Sequence, residues 1–327
     1  MTGMECCAII FSWDNEIMIY TTLNGRCGNQ LFQYAFSRRL QIDYGDQITF
    51  CDGLILGRQQ MDPSFVNELD LFDLADYETE HTSRAILRHG NAAQILICYI
   101  YRLVCRLPYK ERVDFYHRQE RWQPILNWFG IYELIRGYSP VVYSRFRNKF
   151  INGYYEDARW FDGIREILQE EIRVKYPNHD NDELYNAIVS HESVCVSIRR
   201  GDFLEEKHKA ARAICNEEYF LQAIAVMKAK KPEAIFVFFS DDIDWVREHY
   251  DFGVESYYET GVDSVGEKLR LMSACKHFIL SNSTFSWWAQ YLSASEDKIV
   301  ISPDHWFNMP GYRHSLICDD WTLIRCE

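Results

Sequence analysis

The stretch "ESVCVSIRRGDF" (residues 192–203) decides how the rest of the chain is read. Val194 to Ile198 are apolar and rich in β-branched residues, the pattern of a short buried strand. Arg199, Arg200, Gly201 and Asp202 stand at its C-terminal edge. Adjacent guanidiniums in such a place require an anion to offset their desolvation. Arginine's planar forked donors suit a diphosphate. The other reading pairs one arginine with Asp202 as a structural bridge.

Downstream the rhythm is regular. Helix 217–230, strand 234–239, helix 243–250, a strand near 254–258, helix 266–275, strand 277–280, helix 285–293 and strand 298–302 are expected. Alternating β and α at this spacing predicts a parallel sheet covered on both faces. Its ligands belong beyond the carboxyl ends of the strands. Upstream, "MIYTTL" (18–23) reads as a strand, "NGRCG" (24–28) as a glycine turn and "NQLFQYAFSRRL" as a helix. Leu31, Phe32, Ala35, Phe36 and Leu40 share one face of that helix, and its N-terminus presents free N–H groups. Further helices are expected around 84–106 and 121–135. Residues 1–17 stand outside the α/β pattern.

The chain has 327 residues, enough for two domains, and a formal net charge of −13, which argues against a nucleic-acid binder. Its eleven cysteines include no CxxC pair, and no HExxH is present. Scattered thiols of this kind suit a reducing compartment better than a disulfide framework. No uncharged apolar run approaches the ~20 residues needed to span a bilayer. A soluble, cytoplasmic protein is expected. Against the acidic whole, residues 84–121 carry eight Arg/Lys and three acidic residues. Within them "AAQILICYIYRLVCRL" (92–107) reads either as an amphipathic surface helix bearing Arg102 and Arg106, suited to peripheral contact with the inner face of a membrane, or as a core helix with snorkelling arginines.

Chemistry-bearing residues gather at strand ends. Gly25 and Gly28 could admit a ligand close to the backbone or simply form a tight turn. Asp241, just past the strand ending "FFS", could accept from a ribose hydroxyl or a guanine edge. Asp242 reads as the N-cap of the next helix. Asp242 and Asp244 form a D-x-D pattern that suits a metal-bound diphosphate, although acids are favoured at a helix start anyway. "SNSTFSWW" (281–288) places Ser283, Thr284, Phe285 and Ser286 at a strand–helix junction, where hydroxyls and N–H groups cradle phosphate. Trp287 and Trp288 read as core. There is no GxxxxGK[ST] and no strand–GxGxxG–helix unit, so neither phosphoryl transfer nor nicotinamide chemistry is indicated. Diphosphate binding without either points to glycosyl transfer, with a nucleoside diphosphate as leaving group.

"GRCGNQLFQYAFSRRL", "VSIRRGDF", "FVFFSDDIDWVREHY" and "HFILSNSTFSWWAQYL", with "GYYEDARWFDGI" (153–164) and "DHWFN" (304–308), resemble in order and spacing the signatures of bacterial α-1,2-fucosyltransferases, glycosyltransferase family 11. The resemblance implies an α/β, GT-B-like fold of two Rossmann-like domains facing a cleft. Residues 18–170 would form the acceptor-side domain and residues 171–327 the GDP-fucose-binding domain. It implies that Arg199 contacts the diphosphate, that Arg200 shapes the site, that Thr284 and Ser286 reach phosphate, and that Asn29 lies near the reacting sugar. The implied partners are GDP-fucose and a galactose-terminated glycan, either free or lipid-linked, with no metal and no further cofactor. Three positions depart from the pattern: Ser197 stands for the usual His, Arg26 for a glycine, and Glu156 for a Gln. Without that histidine, the proton acceptor is sought among Asp202, Glu205 and Glu206. The expected activity is inverting transfer of L-fucose to O2 of a terminal galactose. Fucosylation at another position, or a catalytically silent nucleotide-sugar-binding protein, are the alternatives.

Overall fold

The structure, a computed structural model, describes residues 17–142, 144, 146, 148–201, 213–309 and 314–326. The first half runs β1 (Met18–Thr22), α1 (Cys27–Tyr44), β2 (Gln47–Cys51), α2 (Gly53–Gln59), β3 (Glu78–Glu80), α3 (Ala85–His89), α4 (Ala92–Cys105), α5 (Arg112–Trp128), β4 (Ile131–Leu134) and β5 (Lys149–Gly153). Then come α6 (Arg165–Glu171) and α7 (Asp182–Ser190). The second half runs β6 (Ser193–Ile198), α8 (Glu217–Lys230), β7 (Ile235–Ser240), α9 (Ile243–His249), β8 (Ser256–Tyr258), α10 (Val265–Ala274), β9 (His277–Ile279), α11 (Thr284–Leu292), β10 (Val300–Pro303) and β11 (Thr322–Ile324).

The strands form two sheets, ordered β3-β2-β1-β5-β4 and β11-β10-β9-β6-β7-β8, and every pairing is parallel. All six residues of β6 and of β7 are buried, as strands covered on both faces require. The architecture is α/β and GT-B-like, with one Rossmann-like sheet in each half. Along β6 the faces divide cleanly. Val194, Val196 and Ile198 belong to an apolar cluster confined to the second half, whereas Cys195 belongs to the large core shared by both halves.

That shared core explains why the halves are closely packed. Phe32 of α1 lies 4.9 Å from both Trp287 and Trp288 of α11, ring centre to ring centre, and Phe161 stacks on Trp288 at 5.6 Å. Both tryptophans are fully buried, as their core reading requires. Each contributes on the order of 2 kcal/mol or more by burial.

Two expected elements differ. The stretch expected as one helix over 84–106 is broken at Gly90, because Asn91 starts a new helix with a capping box that includes Gln94. The helix expected around 121–135 ends at Trp128. Gly130 takes φ 74°, a left-handed conformation that closes the helix, and "IYEL" continues as β4.

Candidate active site

In each sheet the strand order reverses beside a central strand. β1 has β2 on one side and β5 on the other, while β6 has β7 and β9. Loops leaving two such strands diverge and open a crevice at their carboxyl ends. The residues singled out by the sequence lie at these two places.

The first crevice lies between the loops after β1 and β5. Gly25 has φ 83°, so its role is conformational: it makes the left-handed turn into α1. Asn29 Nδ2 donates to Glu156 Oε1 at 2.8 Å. Tyr155, buried and at φ 54°, precedes Glu156. A tyrosine held there costs on the order of 1–3 kcal/mol, and the turn it makes delivers Glu156 to Asn29. His314 completes the chain. Its Nδ1 accepts from the Leu316 N–H at 3.3 Å, which leaves the proton on Nε2, 3.1 Å from Glu156 Oε2. Burial holds the His314 pKa below the ordinary imidazole value, against the pull of Glu156. Arg26 leaves this crevice. It pairs with Asp62 at 3.1 Å and covers the Phe65 ring.

The second crevice lies at the ends of β6 and β9, with the end of β7 alongside. Arg199 Nε lies 3.2 Å from Asp241 Oδ2, and the Arg200 N–H donates to Asp241 Oδ1 at 2.8 Å. Asp241 therefore orients the arginine pair. Asp202, considered for a bridge to one arginine, lies outside the described residues. The Arg200 guanidinium lies on the Trp245 ring, 3.1 Å from its centre, and reaches Asp242 Oδ2 at 3.5 Å. Asp242 occupies the N-cap position of α9 but makes no side-chain capping bond, because its carboxylate faces Arg200. Asp244 faces Arg247 at 3.3 Å. Among the described residues no group of three or more His, Cys, Asp or Glu could hold a metal ion.

After β9, Ser283 caps α11 by accepting from the Phe285 N–H. Ser283, Thr284 and Phe285 are partly exposed, whereas Ser286 is buried and donates back to the Ser283 carbonyl at 3.2 Å. Ser286 shapes the turn, and the Thr284 hydroxyl faces Gly28 of α1.

The two crevices meet at one contact. A Cβ built on Gly28 would come within 2.6 Å of Thr284 Oγ1 and 2.7 Å of the Phe285 nitrogen. Trp288 Nε1 donates to the Gly28 carbonyl at 3.0 Å. The N-termini of α1 and α11 therefore abut, one from each half, and two positive helix ends reinforce one another toward an anion. Glu68 closes the rim. It is buried, accepts from the Cys27 N–H at the start of α1, and is near enough to Arg26 and Arg199 to feel their charge. Burial nonetheless raises its pKa above the ordinary carboxylate value.

Asn29, Gly25, Gly28, Arg199, Arg200, Asp241, Ser283, Thr284, Phe285 and Ser286 all stand at these two crevices. Asp202, Glu205 and Glu206 lie outside the described residues. Ser197 shares the sheet face of Cys195, the side that packs toward the first half. Glu68 and His314 were not legible as site residues. His314 meets Glu156 from 158 positions away, and "NELDLF" gives no local sign that Glu68 reaches α1.

Residues 131–325 match the family model of glycosyl transferase family 11. The chain belongs to glycosyltransferase family 11. It is 27% identical over 322 residues to the O-antigen biosynthesis glycosyltransferase WbnK of Escherichia coli, covering 93% of this chain and 99% of that protein. It is 32% identical to an Escherichia coli alpha-1,2-colitosyltransferase over 47% of this chain and 55% of that one. It is 26% identical to galactoside alpha-(1,2)-fucosyltransferase 2 of Hylobates lar, over 61% of this chain and 57% of that protein. Among solved structures it is similar to the NodZ alpha-1,6-fucosyltransferase co-crystallised with GDP. That likeness has a TM-score of 0.49 and 14% identity, over 85% of this chain and 93% of the other. The family-11 frame holds the glycine turn, the arginine pair and the hydroxyl cluster at crevices that touch.

Proposed function

We propose that the protein is an inverting transferase that moves L-fucose from GDP-β-L-fucose to O2 of a terminal galactose on a glycan. The observation that supports this most is the abutment of the α1 and α11 N-termini at Gly28 and Thr284, with Arg199 held beside them by Asp241. Two helix ends and a forked cation suit a diphosphate leaving group better than a neutral ligand.

In this reading the bond between fucose C1 and the β-phosphate oxygen breaks, and its electrons leave with GDP. Arg199, Thr284 and the two helix ends stabilise the charge that grows there, which is usually the largest catalytic contribution. The acceptor oxygen bonds to C1 from the opposite face, and its proton passes to a carboxylate. Asp202, Glu205 and Glu206 are the candidates for that base, and Glu68 joins them because its raised pKa makes it a stronger base than an exposed carboxylate. Asn29, anchored by Glu156, orients the sugar or the acceptor. No step requires a metal.

A second reading changes only the donor. The similarity to an alpha-1,2-colitosyltransferase supports a colitosyl donor in place of the fucosyl one. A panel of galactose-terminated acceptors incubated with GDP-fucose or GDP-colitose, read by mass spectrometry and linkage analysis, tests both. Fucosyl transfer forming an α-1,2 linkage is expected. Transfer of colitose alone selects the second reading, and no acceptor-dependent GDP release with either donor overturns both.

A further inference from the structure

We propose that the outer face of α3 and α4 is a docking surface for an anionic lipid bilayer. α4 is apolar on both sides. Cys98 and Tyr101 are buried, with Ile95, Ile97 and Cys105 packed beside them, whereas Leu96, Tyr99, Ile100 and Leu103 point outward, exposed by 59, 61, 39 and 44%. The spacing 96, 99, 100, 103 is one helical face, and Leu107, also exposed, extends it past the C-terminus of the helix. From Leu96 to Leu107 the stripe is about 16 Å long. A core helix with snorkelling arginines would bury this face, so that reading of 92–107 does not hold.

Charge selects the occupant. Arg84, Arg102 and Arg106 border the apolar face, and Arg102 alone of these has a carboxylate partner among the described residues, Glu133 at 3.0 Å. A second copy of the chain docking symmetrically would set these arginines against their own counterparts. An anionic headgroup layer meets them with opposite charge, while the leucines and Tyr99 enter the boundary of the acyl chains. A cavity of about 470 Å³ lined by Leu87, Tyr99, Leu103 and Arg106 opens on the same face, and Thr22 and Asn152 line its inner side. Those two residues end the register pairing of β1 and β5, the sheet edge from which the glycine turn and Glu156 depart. The docking face therefore borders the first crevice. A bilayer held there would keep a membrane-borne acceptor within reach.

The test is flotation of the full chain with phosphatidylcholine vesicles containing about a third phosphatidylglycerol, and with pure phosphatidylcholine. It needs no sugar donor, so its outcome is separate from that of the transferase reading. Binding is expected to the anionic vesicles, weakening as salt rises from 0.1 to 0.5 M, where the screening length shortens from about 10 Å to less than half that. Each basic residue near such a surface adds about fivefold to partitioning. Arg84→Glu with Arg106→Glu, and separately Leu96→Glu with Leu103→Glu, should therefore each lower vesicle binding more than tenfold without changing the melting temperature. Absence of binding, or binding that both pairs leave unchanged, overturns the proposal. So does a chain that is dimeric by size exclusion and becomes monomeric in the leucine pair. Residues 1–16 supply the last control. If their removal abolishes vesicle binding while the stripe variants do not, the contact belongs to that segment and not to α4.

Discussion

Gly28 of α1 and Thr284 of α11 stand so close that a Cβ on the glycine would lie 2.6 Å from the threonine hydroxyl oxygen. The two residues are 256 positions apart and belong to different sheets. Gly28 has no left-handed backbone, so what excludes a larger residue is the neighbouring chain. Helix propensity favours Gly28→Ala by at most about 1 kcal/mol, the value for a helix interior. Overpacking against backbone as well as side chain opposes it by about 1–3 kcal/mol and forces the halves apart. Overpacking should win: the variant is expected to melt lower and to lose at least tenfold in kcat/KM, since a misplaced helix end no longer faces the diphosphate. Unchanged kinetics in a folded Gly28→Ala protein would place the donor elsewhere.

Arg199 and Asp241 should behave as a pair. Arg199→Lys keeps the charge but loses the fork. A charge-assisted contact of this kind is worth about 1.5–3 kcal/mol, so the loss in kcat/KM should be about 10- to 150-fold. Asp241→Asn keeps an acceptor for the Arg200 N–H but removes the charge that steers Arg199, and a smaller loss, concentrated in KM for the donor, is expected. Titration calorimetry with GDP separates the two. If neither variant weakens GDP binding, the arginine pair is only structural.

Chelation should matter little. Asp242 and Asp244 each face an arginine, at 3.5 and 3.3 Å, which occupies the charge a metal would use. Activity in excess EDTA is expected to stay within about twofold of the untreated rate. A tenfold fall restored by Mn²⁺ or Mg²⁺ would return the D-x-D pattern to the mechanism.

Ser197 separates a missing base from a replaced one. An essential general base contributes roughly 10²- to 10⁴-fold, and a serine hydroxyl cannot supply it at neutral pH. Ser197→His should change the rate less than tenfold. One of Asp202→Asn, Glu205→Gln, Glu206→Gln or Glu68→Gln should cost far more. Recovery of activity by Ser197→His in an otherwise inert protein would instead support the silent-binder alternative.

The His314–Glu156 contact predicts a pH dependence of stability. Burial depresses the folded-state pKa of His314, so in acid the unfolded chain takes up a proton that the folded chain refuses. The sign follows: stability contributed by neutral His314 is present above the unfolded value, about 6.5, and declines as the pH falls below it. Melting temperatures should drop between pH 7.5 and 5.5, with a shallower slope in His314→Gln. Glu156→Gln preserves an acceptor for Asn29 and should keep activity within tenfold, whereas Glu156→Ala, which frees Asn29, should lose much more. Equal losses in both would assign the carboxylate charge itself a role.

What local sequence determined here is whatever local physics can express. The run Val194 to Ile198 is a buried strand because β-branched apolar residues pack well on both faces of a sheet. Strands and helices alternate after it, so a parallel sheet follows, and its ligand edge locates Arg199, Thr284 and the glycine turn in advance. Gly130 shows where such reading fails. A single left-handed residue ended a helix that composition alone would have continued into β4. Only the tertiary structure decided the partners of the charges. Asp241 holds the arginines, Glu156 joins Asn29 to His314, and Glu68 reaches the start of α1. These contacts link residues separated by tens to hundreds of positions, and their energies depend on distance and burial, which no local pattern encodes. The direction in which α4 presents its leucines was settled in the same way. Its sequence is apolar around most of the helix, and which side meets core or solvent depends on what packs against it.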